Sequence, residues 1–266
     1  LSNVTYIGGN LILLNNPLLS NISGLNSLQY VGGTLAINYC NALPSISGIN
    51  NLNAVGNDFS IDHCPAITTI TGFNGLQNVG GSFKIESNLA LSGINAFNNL
   101  TTVANDLKIV SNHTMNLIAG FSHALTIGND FTISDTSLSI INGFTGAMFV
   151  GNDLRLYANF YLNNIVGLNH IDSVGHDLVI AANTRLEGIS FLNSLQKIGN
   201  DLQIEESDSL QNLNGLNNIH KLHNLVLLYN NRLQNTNGLL GLTTITGSVQ
   251  VNHCNGLVDL HGFSGI

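Results

Sequence analysis

Apolar residues recur along the chain with a period of 24 residues, shortened to 23 at two steps. The apolar residue that opens each unit lies at Ile7, Val31, Val55, Val79, Val103, Ile127, Val150, Val174, Ile198, Leu222 and Ile245. Residues 174–197, VGHDLVIAANTRLEGISFLNSLQK, are a representative unit. Self-similarity at such a fixed period is the sequence signature of a repeat architecture. We therefore expect about eleven stacked coils of one supersecondary unit.

Each unit contains an L-x-I segment in which apolar and other residues alternate as they do in a β-strand. The apolar pairs include Leu35/Ile37, Phe59/Ile61, Phe83/Ile85, Leu107/Ile109 and Leu178/Ile180. A 24-residue unit cannot bury its apolar face alone, but parallel strands stacked about 4.8 Å apart form a continuous hydrophobic column. The pattern therefore predicts an all-β fold, a parallel β-helix or solenoid of about eleven 24-residue coils. Eleven coils would form a rod roughly 50 Å long.

The position three residues after the strand isoleucine is occupied by small side chains that can form hydrogen bonds. We assign this column to Asn16, Cys40, Cys64, Asn88, Asn112, Thr136, Asn159, Asn183, Ser207, Asn231 and Cys254. Such side chains satisfy backbone groups that the hydrogen bonds between coils cannot reach, and a buried unpaired group costs about 1–3 kcal/mol. We predict that the column is a structural Asn/Cys ladder.

The L-x-I-x-x-N/C-x-x-L pattern resembles the strand and ladder segment of leucine-rich repeats. The fuller pattern V-G-G-x-L-x-I with L-x-x-I-x-G-L resembles receptor L-domain-like repeats, and segments such as GLNSLQYVGGTLAI resemble long arrays in secreted and cell-surface proteins of Bacteroidetes. This resemblance covers the whole chain. It implies a right-handed β-helix and a role in adhesion or ligand recognition. We expect the short, Gly-rich I-x-G-L-x-x-L segment to be β rather than helical.

The three cysteines, Cys40, Cys64 and Cys254, all replace Asn in the ladder. We interpret them as buried free thiols, a common state of structural cysteines. Cys40 and Cys64 lie on adjacent coils, so a disulfide between them is the alternative interpretation. The chain has no pair of Cys/His doublets at zinc-site spacing, which argues against a zinc site.

An aspartate column precedes the strands, at Asp58, Asp106, Asp130, Asp153, Asp177 and Asp201. We expect each carboxylate to form an Asx-type turn bond to backbone amides. The alternative is Ca²⁺ binding, since oxygen ligands suit this ion and would relieve repulsion between stacked carboxylates. The turn interpretation is favoured because Asn10, Thr34 and Ser82 replace Asp in other coils and the calcium-repeat pattern G-G-x-G-x-D is absent. We therefore expect no cofactor.

Outward strand residues form the candidate contact face. They are Lys84, Glu86, Lys108, Arg155, Tyr157, Glu205 and Tyr229, with Gln250 on the same side and Asp62 and Tyr39 nearby. Arg and Tyr are favoured at contact surfaces, and tyrosine faces suit sugars. The other interpretation is that this is an ordinary solvated sheet face. A regular threonine ladder of the ice-binding kind is excluded, because the column reads Ile12, Ala36, Ser60, Lys84, Lys108 and Thr132.

Composition narrows the classes of function. Charged residues make up 8% of the 266-residue chain, with seven Lys+Arg, fifteen Asp+Glu and a formal net charge of −8, which excludes a basic nucleic-acid footprint. No apolar stretch approaches the roughly 20 residues of a membrane-spanning helix, so we expect no membrane insertion. The nine histidines are scattered, and no G-x-S-x-G, H-E-x-x-H or P-loop motif accompanies them. We therefore predict that the chain is not an enzyme.

No Pro-rich or Gly/Ser-rich linker interrupts the repeat, so residues 1–266 are predicted to form one continuous solenoid. Neither terminus carries a polar capping unit, and we expect the chain to be an excerpt of a longer protein. We predict an extracellular or cell-surface scaffold, an adhesin or ligand-recognition segment, whose partner is a protein or a polysaccharide. A filament subunit that stacks end to end is the second hypothesis. A polysaccharide-active β-helix enzyme is the third.

Overall fold

The structure, a computed structural model, describes residues 3–266 and confirms an all-β solenoid of parallel strands. Its main sheet has eleven strands that pair in chain order, so ten full turns connect the first strand to the last. These strands are Leu11–Leu14, Leu35–Asn38, Phe59–Asp62, Phe83–Glu86, Leu107–Val110, Phe131–Ser134, Leu154–Tyr157, Leu178–Ala181, Leu202–Glu205, Leu225–Leu228 and Val249–Asn252. We number the coils 1 to 11 after these strands.

A second sheet is made of the short strands that precede the main strands. Nine of them pair continuously: Tyr6–Ile7, Tyr30–Val31, Ala54–Val55, Asn78–Val79, Thr102–Val103, Leu125–Ile127, Met148–Val150, Ile171–Val174 and Lys197–Ile198. Lys221–Leu222 and Thr244–Ile245 form a separate pair at the C-terminal end. The constant spacing of the repeat places equivalent residues of adjacent coils side by side: Val31 pairs with Val55, and Val55 pairs with Val79.

The third side of the coil changes along the rod. It is a four-stranded sheet of Ser45–Ile46, Thr69–Ile70, Gly93–Ala96 and Leu117–Gly120, followed by the pair Ile140–Ile141 and Asn164–Ile165. In four other coils the same side holds short 3₁₀ helices, Ser23–Leu25, Ser190–Ser194, Asn237–Leu239 and His261–Phe263, and in coil 9 it holds turns alone. The expectation that this segment is β is therefore right for the central coils and wrong for these five.

The core is a continuous column inside the coils, as the alternation in the strands predicts. In Phe83–Glu86, Phe83 and Ile85 are buried while Lys84 and Glu86 point outward. The central coils add phenylalanines from two sides, and Phe59 meets Phe73 edge to face with ring centroids 5.0 Å apart. A buried Phe contributes about 1.5–3 kcal/mol through its apolar area. The stacked rings therefore stabilise the rod along its axis.

A glycine follows the opening residue of most coils because successive coils approach each other closely at that corner. A Cβ added to Gly56 would collide with the carbonyl oxygen of Gly32, and one added to Gly80 would collide with that of Gly56. A real side chain would therefore force neighbouring backbones apart. The V-G pair therefore marks one of the close stacking points of the repeat.

Candidate functional site

The ladder residues lie where each main strand ends, and they bond to the coil before their own. Asn88 Oδ1 accepts a hydrogen bond from the Cys64 amide at 3.0 Å, and Asn88 Nδ2 donates to the Ile61 carbonyl at 3.0 Å. Asn112 repeats both bonds with the Asn88 amide and the Ile85 carbonyl. Asn88 and Asn112 are fully buried. Each side chain therefore supplies partners for backbone groups that water cannot reach.

One member of the expected ladder is wrong. Coil 10 uses Asn230, which is buried, accepts from the Ser207 amide at 3.1 Å and donates to the Ile204 carbonyl at 2.8 Å. Asn231 is exposed and donates to Asp208 instead. The cause is that strand residues of coils 9 and 10 are paired at a spacing of 23 residues rather than 24. Leu227 therefore pairs with Ile204, and the third residue after Leu227 is Asn230.

At the N-terminal end of the same column, Asn16 is exposed and donates only to the Leu14 carbonyl of its own coil.

Thr136 and Ser207 occupy the column with shorter side chains than Asn. Thr136 Oγ1 donates to Asn159 Oδ1 at 2.7 Å, and Asn183 Oδ1 accepts the Asn159 amide at 3.2 Å. The column therefore tolerates Asn, Cys, Thr or Ser so long as each offers one donor or acceptor.

The cysteines are free thiols. Cys64 Sγ takes the place of an Asn side chain, since it lies 3.4 Å from both the Cys40 amide and the Ile37 carbonyl. Burial raises the pKa of the Cys64 thiol to about 11, and it also raises that of Cys40. A protonated, buried thiol is a poor nucleophile and a poor metal ligand. Cys254, partly buried, makes a weaker contact of the same kind with the Leu227 carbonyl at 3.6 Å.

The aspartate column lies where each main strand begins, and it bonds to the coil after its own. Asp58 Oδ1 accepts the Ser82 amide at 2.8 Å, and Asp153 Oδ1 accepts the Asp177 amide at 2.8 Å. Asp106, Asp130, Asp177 and Asp201 make the same bond. The expected turn within one coil is therefore replaced by a bond between coils. We call this column the rim ladder.

The asparagine before most of these aspartates completes the rim ladder. Asn152 Nδ2 donates to Asp130 Oδ1 at 2.7 Å, and Asn200 Nδ2 donates to Asp177 Oδ1 at 2.8 Å. One carboxylate oxygen thus accepts both an amide N–H of the backbone and an amide of a side chain. The recurring Gly-Asn-Asp sequence is explained by these bonds without a bound ion, so the structure favours the structural interpretation over the Ca²⁺ alternative.

His176 stands in the asparagine position of the rim ladder. Its Nδ1 lies 3.0 Å from Asp153 Oδ1 and 3.2 Å from Asp177 Oδ1, so these three side chains are close enough to hold a metal ion. Both oxygens, however, already accept backbone amides, and Arg155 contacts the other oxygen of Asp153. The hydrogen bond with Asp153 raises the pKa of His176. The ring therefore substitutes for the donor that Asn supplies elsewhere.

Two cations on the outward face are anchored to the rim ladder. Lys108 Nζ lies 2.7 Å from Asp106, and Arg155 bridges Asp130 at 2.7 Å and Asp153. Burial opposes ionisation of Asp106, but hydrogen bonds from Lys108, Asn129 and the Asp130 amide outweigh it and lower its pKa. The rim ladder therefore holds the charged side chains of coils 5 and 7 in fixed positions.

Five of the seven predicted contact residues come together in one shallow depression on the outward face of coils 4 to 7. It has a volume of about 440 Å³ and is lined by Lys84, Glu86, Lys108, Val110, Asp130, Thr132, Arg155 and Tyr157. Strand pairing aligns Lys84 with Lys108 and Thr132 with Arg155. Thr132 is only 5% exposed although it occupies the outward column of Lys108 and Arg155. We call this depression the outward patch.

The remaining two predicted contact residues lie elsewhere. Glu205 is two coils beyond Tyr157, with Ala181 between them. Tyr229 follows the strand of coil 10 rather than belonging to it, has a φ of 56° and stacks on His253 with ring centroids 4.5 Å apart. Tyr39 has the equivalent place in coil 2 and stacks on His63 at 4.7 Å.

Sequence reasoning placed Thr132 in the outward column but did not name it, Val110 or Asp130 as a contact residue. It also did not single out Glu206 or Asp208, which line a second depression with Tyr229. The strand period alone could have added Val110 and Thr132 to the contact face, because they occupy the same outward columns as Glu86 and Lys84. Glu206 and Asp208 lie in the turn, where alternation gives no signal.

Within residues 3–266, no helix is long and apolar enough to cross a bilayer. Comparisons of the chain with protein-family models, with curated proteins and with solved structures find no match.

Proposed function

We propose that this protein is an extracellular or cell-surface scaffold that binds a macromolecular partner through the outward patch. The observation that carries the proposal is the concentration of charge there. Only seven Lys and Arg occur in the chain, and three of them, Lys84, Lys108 and Arg155, line this one depression. The rest of the solenoid is the rigid support that holds the patch in place.

The repeat itself argues that these residues serve binding rather than folding. The column that holds Lys84, Lys108 and Arg155 contains Ala36, Ser60 and Val179 in other coils, and the strands pair equally well there. A position that accepts Ala, Ser or Val has no structural need for a cation. Departures from the repeat are therefore the best guide to function in this molecule.

The shape and charge of the outward patch suit a protein partner. The patch is open and shallow, and it presents cations next to Glu86 and Asp130 with Tyr157 at one end. Arg and Tyr are enriched among residues that dominate the binding energy of interfaces, and mixed charge gives specificity through complementary potentials. Because Arg155 is already held by two carboxylates, its side chain is preorganised and less entropy is lost on binding.

The extracellular placement is supported by the resemblance of the repeat to receptor L-domain-like arrays. It also fits a surface solvated mainly by Asn, Ser and Thr rather than by charge, since charged residues are 8% of the chain. The absence of recognisable catalytic motifs in the sequence supports a binding role over catalysis.

A binding assay on arrays of purified matrix proteins, surface proteins and polysaccharides tests the proposal. It compares the wild type with one patch variant that carries four substitutions, Lys84→Ser, Lys108→Ser, Arg155→Thr and Tyr157→Ala. A matched control, Gln203→Ala with Gln250→Ala, alters the same sheet face three or more coils from the centre of the patch. We expect a protein ligand that the wild type and the control bind and the patch variant loses. The proposal fails if no ligand distinguishes the patch variant, or if light scattering shows that the purified protein is a long polymer, which would favour the filament hypothesis.

A further inference from the structure

Exposed aromatic rings gather along the turn that follows the main strands in coils 7 to 10. Phe160 is 51% exposed, Tyr161 is 52% exposed and Tyr229 is 47% exposed. Beside Tyr229 lies a depression of about 270 Å³, lined by Thr184, Glu206, Asp208, Tyr229 and Asn231. We call this depression, together with Phe160 and Tyr161, the turn groove. It is separate from the outward patch and does not depend on the function proposed for it.

The fold does not require these side chains. Phe160 directly follows its ladder residue, and the equivalent places hold Asn41, Pro65, His113 and Asn255 in other coils. The place of Tyr161 is taken by Ala42, Ala66 and Ala90 in coils 2 to 4. Large rings that are half exposed gain little from burial, so the repeat does not explain why Phe160 and Tyr161 are large.

The turn groove is continuous across the coils. Phe160, Thr184, Asp208 and Asn231 occupy one column, in which Thr184 Oγ1 approaches the Phe160 carbonyl at 3.5 Å and Asn231 donates to Asp208 Oδ1 at 2.7 Å. The Arg185 guanidinium lies over the Tyr161 ring, 5.1 Å from its centroid. From coil 7 to coil 10 the column spans three coil steps, or about 14 Å. Its length suits an extended ligand rather than a compact one.

From this arrangement we infer that the turn groove binds a neutral polysaccharide whose chain runs along the rod. Aromatic rings provide flat apolar surface for the C–H faces of sugars. Glu206, Asp208 and Asn231 provide acceptors and a donor for sugar hydroxyls, and bonds to carboxylates are the stronger kind. The lining of the depression carries two carboxylates and no Lys or Arg, which disfavours uronates and sulfated sugars. The groove offers no aliphatic side chain to anchor a protein partner.

Native affinity electrophoresis tests this inference. The gels contain soluble neutral glucans, mannans, xylans or galactans, and a gel with polygalacturonate serves as the anionic comparison. We expect at least one neutral polysaccharide to retard the wild type. Tyr229→Ala, and Phe160→Ser with Tyr161→Ala, should each weaken binding about 2- to 10-fold per ring removed. Glu206→Gln with Asp208→Asn should weaken it without loss of the folded state.

Tyr39→Ala is the matched control, because Tyr39 has the same backbone conformation and stacks on a histidine as Tyr229 does, but lies eight coils away. This variant, and the outward patch variant, should be retarded like the wild type. The inference is overturned if none of the neutral polysaccharides retards the wild type, if only polygalacturonate does, or if Tyr39→Ala loses binding as much as Tyr229→Ala.

Discussion

The two ends of a main strand carry side chains that do the same task in opposite directions. At the end of the strand, the buried Asn112 bonds to the amide of Asn88 in the coil before it. At the start of the strand, Asp153 bonds to the amide of Asp177 in the coil after it. Every coil that has both residue types is therefore joined by side chains to both neighbours, in addition to the strand pairing.

The difference between the two ladders is access to water. The Asn/Cys ladder, which we call the buried ladder, leaves backbone groups without any partner if an Asn is removed. Most carboxylates of the rim ladder are half-buried or exposed, so water can replace a lost bond there, and Asp153, at 4% exposed, is the exception. The buried ladder should therefore carry more stability, and the rim ladder should tolerate more sequence variation.

Asn112→Leu should have the largest effect. It leaves the Asn88 amide and the Ile85 carbonyl unpaired in the core, and two such groups cost roughly 2–6 kcal/mol. The free energy of unfolding in urea measures the loss. Asn112→Cys is the control, because Cys64 makes the same two contacts in coil 3. An equal loss in both variants would mean that side-chain volume, not hydrogen bonding, explains the column.

Asp153→Ala should destabilise less, by about 1–3 kcal/mol, because it leaves one backbone group, the Asp177 amide, without its partner, whereas Asn112→Leu leaves two. Asp153→Asn keeps an acceptor for that amide and removes only the charge, so it should lose less than Asp153→Ala in the same urea titration. If Asp153→Ala costs more than Asn112→Leu, the ordering of the two ladders is wrong.

His176 should make the rim ladder sensitive to pH. Because its pKa is raised by Asp153, its contribution to stability is fully present below its unfolded pKa of about 6.5 and is lost as the pH rises through the folded pKa. The difference in urea midpoint between the wild type and His176→Asn should therefore shrink from about pH 6 to about pH 8.5. A difference that stays constant or grows would contradict the hydrogen bond between His176 and Asp153.

The smallest effect is expected just before the buried ladder residue, where every coil has a non-glycine residue with positive φ. Ala182 has a φ of 53°, so Ala182→Gly relieves local strain but increases the entropy of the unfolded chain. The net gain should be under about 1 kcal/mol in thermal unfolding. Ala181→Gly, one residue earlier in the strand, should instead destabilise by about 0.5–1 kcal/mol.

Most of the architecture is readable from the sequence because one period repeats eleven times and each copy confirms the others. The predictions that failed concern positions that the repeat period does not determine. In coil 10 a residue is missing from the unit, and the pair Asn230 and Asn231 offers two equivalent residues, so only strand pairing can select Asn230. The third side of the coil is Gly-rich and short, and its choice between β and 3₁₀ depends on packing.

The candidate site was readable only in part for a related reason. Alternation identifies which strand residues point outward, and this places Lys84, Lys108 and Arg155 on one face. It does not reveal that Arg155 bonds to Asp130 in the coil before its own, or that Asp153, two residues earlier in the chain, bonds to the same guanidinium. Nor does it describe the turn, where Glu206 and Tyr229 lie beside each other across coils.

Amide hydrogen exchange measured residue by residue tests the opposed ladders most directly. In Asn112→Ala, exchange should speed up at the Asn88 amide, in the coil before the substitution. In Asp153→Ala, it should speed up at the Asp177 amide, in the coil after it. Changes on the same side in both variants, or no change at either amide, would contradict the account of how this solenoid is held together.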